Sequence, residues 1–74
     1  MKLTELLLNE TGIVESVDLS FISAQRLIEM GFSKGTAISV ELMGISPTLK
    51  AYRIKNTILA IRNETAEHIN IKLL

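Results

Sequence analysis

The sequence predicts a mainly β chain with one short helix, folded as a small barrel of about five strands. Its 74 residues leave room for one domain, 1–74, and one core. Hydrophobic residues make up 47% of the chain but aromatics only 4%, so Leu, Ile and Val must fill the interior. Short alternating segments recur between Gly, Pro and Asn punctuation, and one stretch, Ala24 to Met30, has helical spacing.

Leu3 to Leu8 suits either a helical turn or a buried strand end, and Gly12 punctuates the chain after it. Ile13 to Leu19 is β-branched and forms the first strand. Ser20 or Ser23 caps a helix with body Ala24–Met30. Ala24, Leu27 and Ile28 share its core face with Gly31; Gln25, Arg26 and Glu29 take the wet side. Gly31 sits where the helix needs a left-handed residue, and Phe32 can fold back onto Leu27 in a Schellman motif. Ser33-Lys34-Gly35-Thr36 fits a type II turn with glycine at its third place.

From Thr36 to about Met43, Ile38, Val40 and Leu42 alternate with smaller or polar residues, the period of a second strand. Gly44 to Thr48 reads as a loop around Pro47. Leu49–Lys55 and Thr57–Arg62 form a hairpin around Asn56, a residue that tolerates positive φ. Ile58-Leu59-Ala60-Ile61 is apolar on both faces, which predicts a central, covered strand. Asn63 to Glu67 reads as one helical turn capped by Asn63, and Ile69, Ile71 and Leu73 alternate as a closing strand.

Net charge is zero but unevenly spread. Residues 1–49 hold six acids against three bases, whereas 50–63 hold Lys50, Arg53, Lys55 and Arg62 with no acid. A neutral chain lacks the summed field of a nucleic-acid binder, so the local basic face is either a solvated hairpin or a protein-docking rim. Cysteine is absent, which fits a reducing compartment. Glu5, Asn9 and Glu10 break the leucine-rich start well short of a signal peptide's apolar core, so the expected location is cytoplasmic.

Candidate chemistry is sparse. His68 and Glu64 would stand at i and i+4 if the turn at Asn63 stayed helical, but two ligands without a third make a poor metal site. Glu41 and Met43 have little more to offer a soft metal. Gly31 and Gly35 follow a helix instead of opening one, so they do not cradle phosphate. No serine has a visible orienting partner beside His68. The sequence therefore points to no catalytic residues, no metal ligands and no cofactor. With only Phe21, Phe32 and Tyr52, a proline-peptide groove is also disfavoured.

What remains is a surface for a protein partner. Its candidate residues are Arg26, Leu27, Met30, Phe32, Lys34, Lys50, Arg53 and Lys55, around the turn residues Gly31, Gly35 and Asn56. Core packing is the alternative duty for Leu27 and Phe32.

Arg26-Leu27, then Gly31-Phe32, Gly35, Ile38 and Val40 resemble the central signature of the ferrous iron transport protein A (FeoA) family. The similarity continues through Tyr52, Ile54, Leu59-Ala60-Ile61-Arg62, Ala66, Ile69 and Ile71. It implies an SH3-like barrel, with the leucine-rich start closing one mouth. It also implies a cytoplasmic accessory that binds and modulates the FeoB permease, reaching the membrane only through that partner. Weak self-association stays open. Many members have Gly-Asp-Pro where this chain has Ile45-Ser46-Pro47, and glycine where it has Asn56. The same pattern occurs in the SH3-like domain of iron-dependent repressors, so a stand-alone domain assisting a metal-sensing regulator is the alternative.

Overall fold

The computed structural model describes the backbone of residues 1–74 and all side chains except those of residues 43–45. Five antiparallel strands, β1 (Thr11–Val17), β2 (Ala37–Ser46), β3 (Leu49–Ile54), β4 (Thr57–Arg62) and β5 (Ile69–Leu73), form one sheet in the order β4-β3-β2-β1-β5. Helix α1 (Ala24–Glu29) lies in the connection between the neighbours β1 and β2, and α2 (Asn63–Ala66) joins β4 to β5. The leucine-rich start is a 3-10 turn over Leu3–Glu5 that buries Leu3 and Leu6 completely. Glu5 fixes that turn by accepting from the Lys2 N–H at 2.8 Å.

The core is as aliphatic as the composition requires. Leu3, Leu6, Val14, Ile38, Ile54, Ile69 and Ile71 surround Tyr52 and Phe32, all buried. Register shifts explain where simple alternation fails. The β2–β3 register slips between Val40↔Tyr52 and Leu42↔Ala51, so two steps along β2 face one along β3. Such a bulge reverses the side-chain phase, and Leu42 emerges 53% exposed although Val40 is buried. A second shift between Val14 and Ser16 lets β1 bury both Val14 and Val17, three residues apart.

Several boundaries differ from the sequence reading. The first strand begins at Thr11 and ends at Val17, because Asp18 turns into a loop with its carboxylate accepting from Ser20. β2 continues to Ser46, so the expected Gly44–Thr48 loop shrinks to a turn at Pro47-Thr48. Ser23 is the N-cap of α1 without a side-chain cap bond, and Met30 is its C-cap. Asn63 is the first residue of α2 and not its cap; its amide donates to Pro47 O at 3.3 Å. β4 is not central. It ends the sheet, with Ile58 49% exposed and Ala60 also exposed, because an apolar side chain on a small sheet has no second layer to cover it.

Candidate partner-binding face

The corner after α1 is fixed by its own backbone. Gly31 has φ +121°, Phe32 N–H donates to Leu27 O at 3.1 Å, and Gly31 N–H donates to Ile28 O at 3.1 Å. These two bonds define a Schellman motif, and Phe32 and Leu27 are both buried beneath it. The next turn closes with Thr36 N–H to Ser33 O at 3.2 Å, with Gly35 at φ +92°. Gly35 N–H to Val14 O and Val14 N–H to Thr36 O then fasten that turn to β1.

Tertiary packing sets this corner against the β3–β4 hairpin. A Cβ placed on Gly31 would lie 3.8 Å from both Ile54 Cδ1 and Lys55 Cε. Lys55 therefore lies beside the corner that carries Met30, 40% exposed, while Lys34 is exposed in the turn that follows. The hairpin turn itself is Lys55-Asn56, and the positive φ, +56°, falls on Lys55 in place of Asn56. Ladder geometry decides this: Ile54↔Thr57 closes the hairpin, which makes Lys55 the first of two central residues.

A shallow cleft of about 270 Å³ opens between β1, β2 and β3, lined by Thr11, Thr36, Ala37, Ile38, Ser39, Arg53 and Lys55. It exists because β2 presents the small residues Ala37 and Ser39 between Thr11 on one side and, on the other, the long cations Arg53 of β3 and Lys55 of the hairpin turn. Arg53 is held by Glu41, with Nε and Nη2 donating to the carboxylate at 3.1 and 3.2 Å. Those hydrogen bonds and the attraction behind them lower the Glu41 pKa and raise that of Arg53.

The other expected site residues divide. Leu27 and Phe32 are 4% and 1% exposed, so they support the face from beneath and cannot touch a partner. Lys50 is turned inward along the barrel end, where Nζ donates to Thr4 O at 2.8 Å and to Leu6 O at 3.4 Å. Arg26 is exposed in the last turn of α1. Thr11, Thr36 and Ser39 carry no sequence signal, since only the β1–β2 register brings them to one cleft.

His68 does not share a helix with Glu64, because α2 ends at Ala66. Its ring stacks on Phe21, centroids 4.1 Å apart, and Nδ1 lies 3.3 Å from Asp18 Oδ2. The Asp18 pKa is lowered, first by the Ser20 hydroxyl and amide and then by His68. Met43 lies outside the described side chains. Among the described residues, no three His, Cys, Asp or Glu side chains are grouped to hold a metal ion, and no helix is long and apolar enough to cross a membrane.

Five antiparallel strands in one sheet, joined by turns and two short helices, define a small SH3-like module. The FeoA domain model matches residues 1–73, and the chain belongs to the FeoA domain family. FeoA from Stenotrophomonas maltophilia, solved with zinc and described as a prokaryotic SH3 domain protein proposed as a ferrous iron transport activating factor, is 28% identical; 97% of this chain covers 89% of that one at a TM-score of 0.84. A FeoA-like protein from Clostridium acetobutylicum shares the fold at 22% identity, with all of this chain on 86% of that one and a TM-score of 0.90. FeoA from Chlorobium tepidum is 25% identical, with coverage of 100% and 70% and a TM-score of 0.82. No curated protein matches. The family is one of small accessory domains linked to ferrous iron transport, not a known enzyme family.

Proposed function

We propose that this chain is a non-enzymatic cytoplasmic accessory of a FeoB-type ferrous iron permease, docking on its cytoplasmic domain through the corner–hairpin face. One observation carries the reading: a Cβ on Gly31 would meet Lys55 Cε at 3.8 Å, so a hairpin cation lies beside the corner that carries the half-exposed Met30. An apolar centre with a charged rim is the usual anatomy of a transient interface. The FeoA family match favours this partner over a metal-sensing regulator.

Rim charges set association rate and its salt dependence, while buried apolar contacts set dissociation. Lys55→Glu, alone and with Arg53→Glu, slows association with the permease's cytoplasmic domain, more at low salt than at high. Met30→Ala speeds release and leaves the fold intact. Surface plasmon resonance at two salt concentrations tests both. Equal, salt-independent rates for wild type and the charge-reversed chains would remove the hairpin from the interface.

A further inference from the structure

The two edges of the sheet are treated differently. Along β5, Met1 and Lys2 cover the edge: Ile71 N–H donates to Met1 O at 2.7 Å, the Met1 ammonium donates to Ile71 O at 3.0 Å, and Lys2 bridges to Asn70. Along β4, nothing among the described residues pairs with Thr57–Arg62 beyond β3. Asn63 N–H donates to Thr48 O at 2.8 Å, which turns position 63 toward β3. The unbroken register places Ile61, Leu59 and Thr57 in the same phase. Alternate residues of an antiparallel pair point their amides the other way, so Ile58, Ala60 and Arg62 present theirs outward.

Exposed edges are ordinarily blunted by proline, a bulge, a charge or a cover. β4 has none of these in its body: Thr57-Ile58-Leu59-Ala60-Ile61 is uncharged, proline-free and in continuous register with β3. Its outer face continues an apolar row, Leu42↔Ala51↔Ala60, beside the pair Arg53↔Ile58, and Arg62 stands at its end.

We propose that β4 takes up an extended, acidic segment of a protein partner as a sixth strand, hydrogen-bonded to Ile58, Ala60 and Arg62. This deepens the reading of the chain as a partner-binding module and rests on it. Strand addition draws affinity from main-chain bonds and selectivity from alternate side chains. Here those side chains land beside Ile58 and Ala60 and within reach of Arg62, the one charge on β4 and a base, since Lys50 is engaged with Thr4 O and Leu6 O and Arg53 with Glu41. A second copy suits the edge less well. It would leave Arg62 of each copy opposite an uncharged strand, along a seam only six residues long, short of the roughly 1,000 Å² a specific interface buries.

The test is amide hydrogen exchange by NMR on the full chain, with a capped eight-residue peptide alternating valine and glutamate and a valine–lysine counterpart. At ten times its dissociation constant, the acidic peptide should slow exchange at Ile58, Ala60 and Arg62 about tenfold and leave Leu59 and Ile61 unchanged. Ala60→Pro removes one outward N–H without touching the β3 ladder and should abolish the protection. Ile58→Glu, which faces Arg53 and spares the fold, should do so by repulsion. No protection of the three amides, or equal protection by the lysine peptide, overturns the proposal. So does protection in the protein alone that rises with its concentration, which would assign the edge to a second copy. The permease plays no part in this readout, so failure of permease docking and failure of strand addition are separately visible.

Discussion

Replacing Gly31 with valine measures how strictly the corner after α1 requires a residue without a Cβ. At φ +121° the backbone is in a region that L side chains rarely adopt. Space is not the obstacle, because the nearest atoms to an added Cβ are Ile54 Cδ1 and Lys55 Cε at 3.8 Å, an ordinary contact. The cost is therefore conformational, about 1–3 kcal/mol for a residue held in a sparsely populated region. Losing glycine's freedom in the unfolded chain returns about 0.4–1 kcal/mol. The difference runs from about 0 to 2.6 kcal/mol with its middle near 1 kcal/mol, so Gly31→Val should destabilise by roughly 1 kcal/mol, and at about 4–8 °C per kcal/mol the Tm should fall by several degrees. Circular-dichroism melts with urea titrations at constant m measure it. Gly31→Ala should share most of the loss, since strain belongs to any Cβ. An unchanged Tm in the valine variant would show that a side chain is not strained at this corner. A costly valine beside a harmless alanine would assign the effect to bulk and refute the backbone argument.

Other expectations rest on single contacts. Tyr52 is fully buried with its hydroxyl unpartnered, and burial pushes its pKa up to about 12; Tyr52→Phe should leave stability equal or raise it by about 1 kcal/mol, since an unsatisfied buried hydroxyl is costly, and a lower Tm would contradict this. Lys55→Gly should stabilise by roughly 0.5–1 kcal/mol by relieving the φ of +56°, read from urea midpoints. Lys50→Met should destabilise by about 1 kcal/mol through loss of the bonds to Thr4 O and Leu6 O. The Asp18 carboxyl is held below its ordinary 3.8. Its contribution is therefore complete above that value and lost as pH falls through the folded pKa, so Asp18→Asn should flatten the acid limb of Tm against pH.

Local chemistry determined the parts of this protein that a few neighbouring residues can enforce. Gly31 with Phe32, and Ser33 to Thr36 around Gly35, are set by glycine's access to positive φ and by bonds that span at most five residues. The same holds for α1 and for the strand character of β2, β3 and β5, where alternation is visible in the chain itself. Position in the sheet is not local. Ile58-Leu59-Ala60-Ile61 reads as buried from composition, yet strand order makes it an edge. The bulge after Val40 exposes Leu42 because register, which no single strand contains, sets the phase. Charges divide in the same way. The cluster of bases from Lys50 to Arg62 is legible, but only the fold turns Lys50 inward, pairs Arg53 with Glu41 and leaves Lys55 beside Gly31. Side-chain partners twelve or more residues apart depend on which strands meet, and that is decided by burying one shared core.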